Sequence, residues 1–174
     1  TKDNFSRSGK VRRSLSKLPL NTTPRGSKKE MTEKFKPFKL KEKAVAVSGY
    51  FDPIHVGHLE MLEMAKSLGD RLIVIVNNDE QAKLKKGKSF MNEHDRLKIV
   101  KSLKCVDEAF LSIDKDESVC LSLRLCAPHV FANGGDRKEE EVPEAEVCRM
   151  LNIEMVDGLG KKIRSSSDYT GLKK

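Results

Sequence analysis

His55 and His58 stand three residues apart with Gly57 between them, in the stretch SGYFDPIHVGH that runs from Ser48 to His58. The apolar run AVAVSG (44–49) precedes them and HLEMLEMAKSLG (58–69) follows, a strand pattern and then a helix pattern. The mouth of a helix offers free N–H groups and the positive end of the helix dipole, both of which attract an anion. Gly57 has no side chain, so a phosphate can come close to the backbone. Imidazoles at i and i+3 reach one face, and each can donate a hydrogen bond to a phosphate oxygen. Beside such charge each is expected to be protonated. The chemistry that suits this set is holding a phosphate chain and stabilising charge that grows during phosphate displacement.

Three other readings stay open on these residues alone. Asp52, His55 and His58 have metal-ligand types, but Pro53 intervenes and no further Cys or His has recognisable ligand spacing. Nucleophilic catalysis lacks a G-x-S-x-G elbow. A pair of satisfied structural histidines is the plainest reading.

The elements that must position these residues alternate along the chain. Strand patterns fall at 44–49, 71–79, 107–113, 129–133 and 153–156, with helix patterns at 58–69, 92–104, 118–127 and 143–152 and a last one opening on the serines of 165–174. Alternation of this kind needs helical crossovers between parallel strands. The expected class is α/β, a Rossmann-like, doubly wound, five-stranded parallel sheet with helices on both faces. Ligands in such sheets lie beyond the carboxyl ends of the strands, where the strand order switches. The segments 49–58, 77–88, 133–137 and 158–167 fall at those ends and should converge. The cluster KLKKGK (83–88) is then expected to be a mobile loop that grips phosphate, against the plainer reading of a solvated charge run.

Charge divides the chain. Residues 1–43 carry 14 Lys/Arg against 4 Asp/Glu, and residues 44–174 carry 20 against 22. The basic character belongs to the N-terminal part, so no specific nucleic-acid partner is expected for the globular part. Residues 1–42 are expected to be a basic, disordered extension or linker, and 43–174 the folded domain. No run of about 18 apolar residues exists, so no membrane span is expected. The four cysteines form no C-x-x-C pair and read as small apolar residues in a reducing compartment, the cytoplasm. An organelle is the alternative if the basic, Ser-rich start is a targeting remnant.

The stretch GYFDPIHVGH resembles the G-x-F-D-x-x-H-x-G-H signature of the cytidylyltransferase-like nucleotidyltransferases, which include glycerol-3-phosphate cytidylyltransferase and heptose-1-phosphate adenylyltransferase. AKSLGDRLIVIVNND, NEHDRLKIV, NGGD and RSSSD fit later segments of the family in the right order, from about Val45 to Tyr169. The resemblance implies transfer of a nucleoside monophosphate from CTP or ATP to the phosphate of a small polyol, sugar or amino-alcohol phosphate, with release of pyrophosphate. A non-catalytic nucleotide-binding module, or one domain of a multidomain enzyme, is the alternative. The resemblance implies Mg²⁺ carried by the triphosphate, with no metal held by protein side chains. It also leaves a homodimer open.

By the same resemblance His55, His58, Lys85 and Arg96 would be catalytic. Gly49, Tyr50, Phe51, Asp52, Gly57, Gly134, Gly135, Asp136, Ser165, Ser166 and Ser167 would bind the nucleotide. The family's second lysine position falls on Gly87, so Lys86 or Lys88 would substitute. The family's R-T-E-G arginine is replaced by the run GKKI, so Lys161, Lys162 or Arg164 would stand in at the phosphates.

Overall fold

The computed structural model describes residues 42–134, 142–160 and 169–171. Five strands, β1 (Ala44–Gly49), β2 (Arg71–Val76), β3 (Glu108–Leu111), β4 (Val130–Gly134) and β5 (Glu154–Leu159), form one sheet in the order β3-β2-β1-β4-β5. Every neighbouring pair is parallel. Five helices accompany them among the described residues: α1 (Val56–Lys66), α2 (Asp79–Lys86), α3 (Glu93–Lys101), α4 (Cys120–Cys126) and α5 (Glu144–Leu151). The chain runs outward from β1 to β3, then returns to β4 on the other side of β1. The switch in strand order therefore lies between the carboxyl ends of β1 and β4.

Period-two alternation sends the strand residues to two separate cores. Val45, Val47, Leu72, Val74, Val76, Val130 and Ala132 pack with Met61, Leu62 and Ala65 of α1 and Val100 of α3. Ala46, Ile75 and Phe131 pack on the opposite face with Leu123 of α4 and Val147 and Cys148 of α5. Near-continuous apolar strands are what a sheet covered on both faces requires. The expected doubly wound α/β class is the class observed.

Two local expectations change. Of the expected loop 83–88, residues 83–86 are instead the last turn of α2: Asn78 caps the helix, its side chain accepting the Gln81 N–H at 2.9 Å, and Gly87 ends it at φ +81°. Asp79 and Glu80 in the first turn and Lys83, Lys85 and Lys86 in the last complement the helix dipole. The fifth strand runs past the expected 156 to Leu159, because a register shift in β4 lets Gly134 pair with Leu159 beyond the Asp157-Gly158 turn signal. Of the expected last helix, Tyr169 and Thr170 are helical and 165–168 and 172–174 lie outside the described residues.

Candidate active site

The turn after β1 is built around Phe51. Its φ is +50°, a left-handed conformation that costs on the order of 1–2 kcal/mol for an L side chain. Full burial of its ring returns roughly 1.5–3 kcal/mol. The ring lies over Gly49, where a Cβ would stand 2.9 Å from Phe51 Cζ. Gly49, expected at the nucleotide, therefore makes room for Phe51. The Asp52–Pro53 peptide is cis. The buried Asp52 carboxylate accepts the N–H groups of Phe90 at 2.8 Å and Met91 at 2.7 Å. Asp52, also expected at the nucleotide, thus fastens the segment after α2 to the turn that delivers the histidines.

His55 is the N-cap of α1, with extended backbone at φ −148° and ψ 172°. Its carbonyl accepts the His58 N–H at 2.9 Å, and its own N–H donates to His58 Nδ1 at 3.3 Å. The two rings stack with centroids 3.9 Å apart and planes 25° apart. A Cβ on Gly57 would lie 3.3 Å from both Cε1 and Nδ1 of His55, so the glycine opens the space in which that ring lies. The edge of Phe51 supports His58 from the core side at 5.1 Å.

The pair does not start out doubly charged. Burial, then the charge of His55, then that of Lys86, push the His58 pKa down to about 4. With Nδ1 accepting a hydrogen bond, the single proton of the neutral ring sits on Nε2. In the ligand-free site His58 is therefore a neutral donor; the expectation of protonation concerns the pair beside a bound phosphate.

The last turn of α2 brings cations to the same place. Lys85 Nζ lies 5.2 Å and Lys86 Nζ 5.7 Å from the centroid of the Tyr50 ring. Lys86 also donates to the Asp52 carbonyl at 3.2 Å. Burial lowers the Lys86 pKa, Asp52 opposes that and the Arg96 charge adds to it. Lys88 lies past Gly87 and is exposed.

Arg96, expected to touch substrate, is the largest fully buried side chain among the described residues. Its Nε donates to the Met91 carbonyl at 3.1 Å, and its Nη1 to the carbonyls of Tyr50 and Asn77, both at 2.7 Å. Its Nη2 pairs with Asp79 at 2.7 Å. Burial works against the Asp79 carboxylate, but the bond to Arg96 and the Glu93 backbone N–H hold its pKa below the usual value. One guanidinium thus joins the turn after β1, the end of β2, the start of α2 and the segment before α3. Arg96 is placed as a positioning residue, since its hydrogen-bonding fork faces inward.

At the end of β4, a Cβ on Gly134 would lie 2.8 Å from Met61 Cγ. That glycine lets α1 pack closely on the sheet. Gly135, Asp136, Lys161, Lys162, Arg164, Ser165, Ser166 and Ser167 lie outside the described residues. Sequence reasoning missed Asp79, whose signal was the Asn-Asp-Glu helix start at 78–80. It also missed Tyr169, whose ring stacks on His55 at 5.8 Å and 24°. No sequence signal pointed to it.

Among the described residues, no group of three or more His, Cys, Asp or Glu could hold a metal ion. The donors gathered here, two imidazoles and two ammonium groups, match polyphosphate oxygens. No described helix is long and apolar enough to cross a membrane.

A family model described as cytidylyltransferase-like matches residues 46–153. An FAD synthase of Pyrococcus horikoshii is 44% identical over 115 residues, covering 64% of this chain and 77% of that protein. The bifunctional protein HldE of Aliarcobacter butzleri is 38% identical over 122 residues, covering 68% of this chain but 25% of that protein. The chain therefore spans about a quarter of the length of that bifunctional relative. The crystal structure of the lipopolysaccharide core biosynthesis protein from Thermoplasma volcanium GSS1 superposes with a TM-score of 0.59 at 30% identity, over 68% of this chain and 98% of that one. With its fold, the G-x-F-D-x-x-H-x-G-H turn and these matches in agreement, the chain belongs to the cytidylyltransferase-like nucleotidyltransferase family.

Proposed function

We propose that residues 43–174 transfer a nucleoside monophosphate from a nucleoside triphosphate to the phosphate of a small phosphate monoester. An oxygen of the acceptor phosphate attacks the α-phosphorus, the bond from that phosphorus to the β-phosphate oxygen breaks, and pyrophosphate leaves. The attacking group is already an anion and needs no strong base, so the task is to bring two anions together and stabilise the transition state. His58 donates through Nε2 and His55 lies beside it at the helix mouth, while Lys85 and Lys86 supply fixed positive charge. The observation that carries the reading is the stacked histidine pair at the entrance of α1.

Mg²⁺ would enter with the triphosphate, since the Asp52 carboxylate of this turn is engaged by the Phe90 and Met91 amides. Carried there, it would supply positive charge to the departing pyrophosphate, while Lys85, Lys86 and the histidine pair hold the phosphate chain. ATP is favoured over CTP as donor, since relatives matched over about three quarters of their own length are named FAD synthase, and FAD contains an AMP unit. The same relatives add a flavin phosphate to the sugar, polyol and amino-alcohol phosphates as acceptors worth testing. The test is pyrophosphate release by the purified chain with ATP or CTP and each acceptor in turn. Release that depends on both substrates is expected. Nucleotide binding without release under any pairing would favour the second reading, a binding module within a longer enzyme. The match to a quarter of a bifunctional protein is the observation behind that reading.

A further inference from the structure

Four aromatic rings stand in a row from the core to the surface at this site. Phe51 is buried and meets His58 edge-on at 5.1 Å; His58 stacks on His55 at 3.9 Å; His55 stacks on Tyr169 at 5.8 Å with planes 24° apart. The first three come from one turn of chain, within eight residues. The fourth, Tyr169, arrives from the far end of the sequence; Tyr169 and Thr170 are helical, and the Tyr169 side chain is half exposed. Burial of its own ring is therefore a small part of what this contact achieves.

The inner rings are fixed by more than stacking. Phe51 is packed over Gly49, and the Nδ1 of His58 is held by the His55 backbone N–H. The imidazole of His55 lies over Gly57, within 3.3 Å of where a Cβ on that residue would stand. Its one face is set by His58. Tyr169 supplies the other.

We propose that Tyr169 is a positioning residue for His55, closing the outer end of the ring row so that the imidazole stays against His58 at the mouth of α1. This rests on the reading that the histidine pair holds the polyphosphate. A ring contact of this type is the interaction required, so the phenol hydroxyl is dispensable and the aromatic face is not. The contact that Tyr169 makes at the site is with the His55 ring, so its removal should act through the placement of that imidazole.

Tyr169→Ala and Tyr169→Phe, made in the full chain, test this. Two readouts are taken: the imidazole C–H resonances of His55, assigned by their loss in His55→Ala, and steady-state pyrophosphate release. Tyr169→Ala should move the His55 resonances, because the ring current over them is gone, and lower kcat by about five- to tenfold with a smaller change in KM for the nucleotide. Tyr169→Phe should keep both near wild type. His55 resonances unmoved in Tyr169→Ala, or moved with kcat unchanged, would overturn the proposal. Wild-type chain that releases no pyrophosphate, and whose His55 resonances ignore added ATP and CTP, would instead overturn the reading of the histidine pair, and the positioning role with it. Nucleotide-induced shifts of His55 in the wild type, lost in Tyr169→Ala and kept in Tyr169→Phe, would support the proposal independently of turnover.

Discussion

The imidazoles of His55 and His58 lie face to face with centroids 3.9 Å apart, and the backbone N–H of the first is donated to Nδ1 of the second. One residue thus sets the tautomer of the other. On the proposed function, a phosphate at the mouth of α1 would be met by the Nε2–H of a neutral His58, with no need for the ring to be protonated first. That relationship, more than the presence of two histidines, is what makes the turn suitable for stabilising growing negative charge.

The low pKa of His58 has a consequence for stability. Its folded value is about 4 against an ordinary 6.5, so the unfolded chain takes up the proton first as pH falls. The stability that this residue contributes is complete above about pH 6.5 and is lost progressively as pH falls toward 4. Urea midpoints measured across that window should decline less steeply in His58→Gln than in the wild type. Parallel slopes would mean that His58 is not buried as described.

Nucleotide binding should bring a proton with it. A triphosphate beside His58 favours the charged imidazole and raises its pKa. Calorimetric titration of the nucleotide at pH 5, in two buffers of different ionisation enthalpy, should show proton uptake. At pH 8 the uptake through His58 should vanish.

Gly57→Ala separates function from stability. Gly57 is the second residue of α1, where alanine is tolerated by the helical backbone, so thermal stability should hold near wild type. The new Cβ would stand 3.3 Å from the His55 ring and displace it by a few tenths of an ångström. Turnover is therefore expected to fall several-fold while Tm does not. A fall in both would place the fault in the fold.

The charges on α2 should divide by direction. Lys85→Ala and Lys86→Ala remove the two ammonium groups that face Tyr50 and should lower kcat/KM by about ten- to a hundredfold each, as loss of fixed charge at a phosphate does. Lys83→Ala, exposed on the same helix, should behave as wild type. The comparison needs only kcat/KM for the nucleotide at fixed acceptor.

Arg96→Met should be a folding variant. It strands the carbonyls of Tyr50, Asn77 and Met91 that the buried guanidinium satisfies and leaves the partly exposed Asp79 without its partner, and each unsatisfied buried carbonyl costs about 1–3 kcal/mol. Chemical denaturation should show that loss. The double variant with Asp79→Leu should lose less than the sum of the single ones.

How much of this can be read from residues alone depends on how local the determining interactions are. The junction of β1 and α1 is legible because apolar alternation, a glycine and two histidines fall within a dozen residues and each constrains the next. The doubly wound sheet is legible because near-continuous Val- and Ile-rich strands need cover on both faces. The helix α2 is harder. KLKKGK looks like a solvated loop, and what makes it helical lies upstream in the Asn78 cap and in contacts far away, such as the Gln81 side chain donating to the Asp116 and Ser118 carbonyls, both at 2.6 Å. Arg96 is misread for a related reason. An arginine on an amphipathic helix normally points outward, and the four groups that draw this one inward come from four separate segments. Tyr169 meets His55 across more than a hundred residues of sequence, a contact that no local pattern encodes.

The most direct test compares pyrophosphate release by the wild-type chain, His55→Ala and His58→Ala under identical substrate concentrations, with folding checked by circular dichroism. The account predicts turnover that requires both substrates in the wild type and a fall of about a hundred- to a thousandfold in each variant, with the fold retained. Turnover in both variants within a few-fold of the wild type would contradict it.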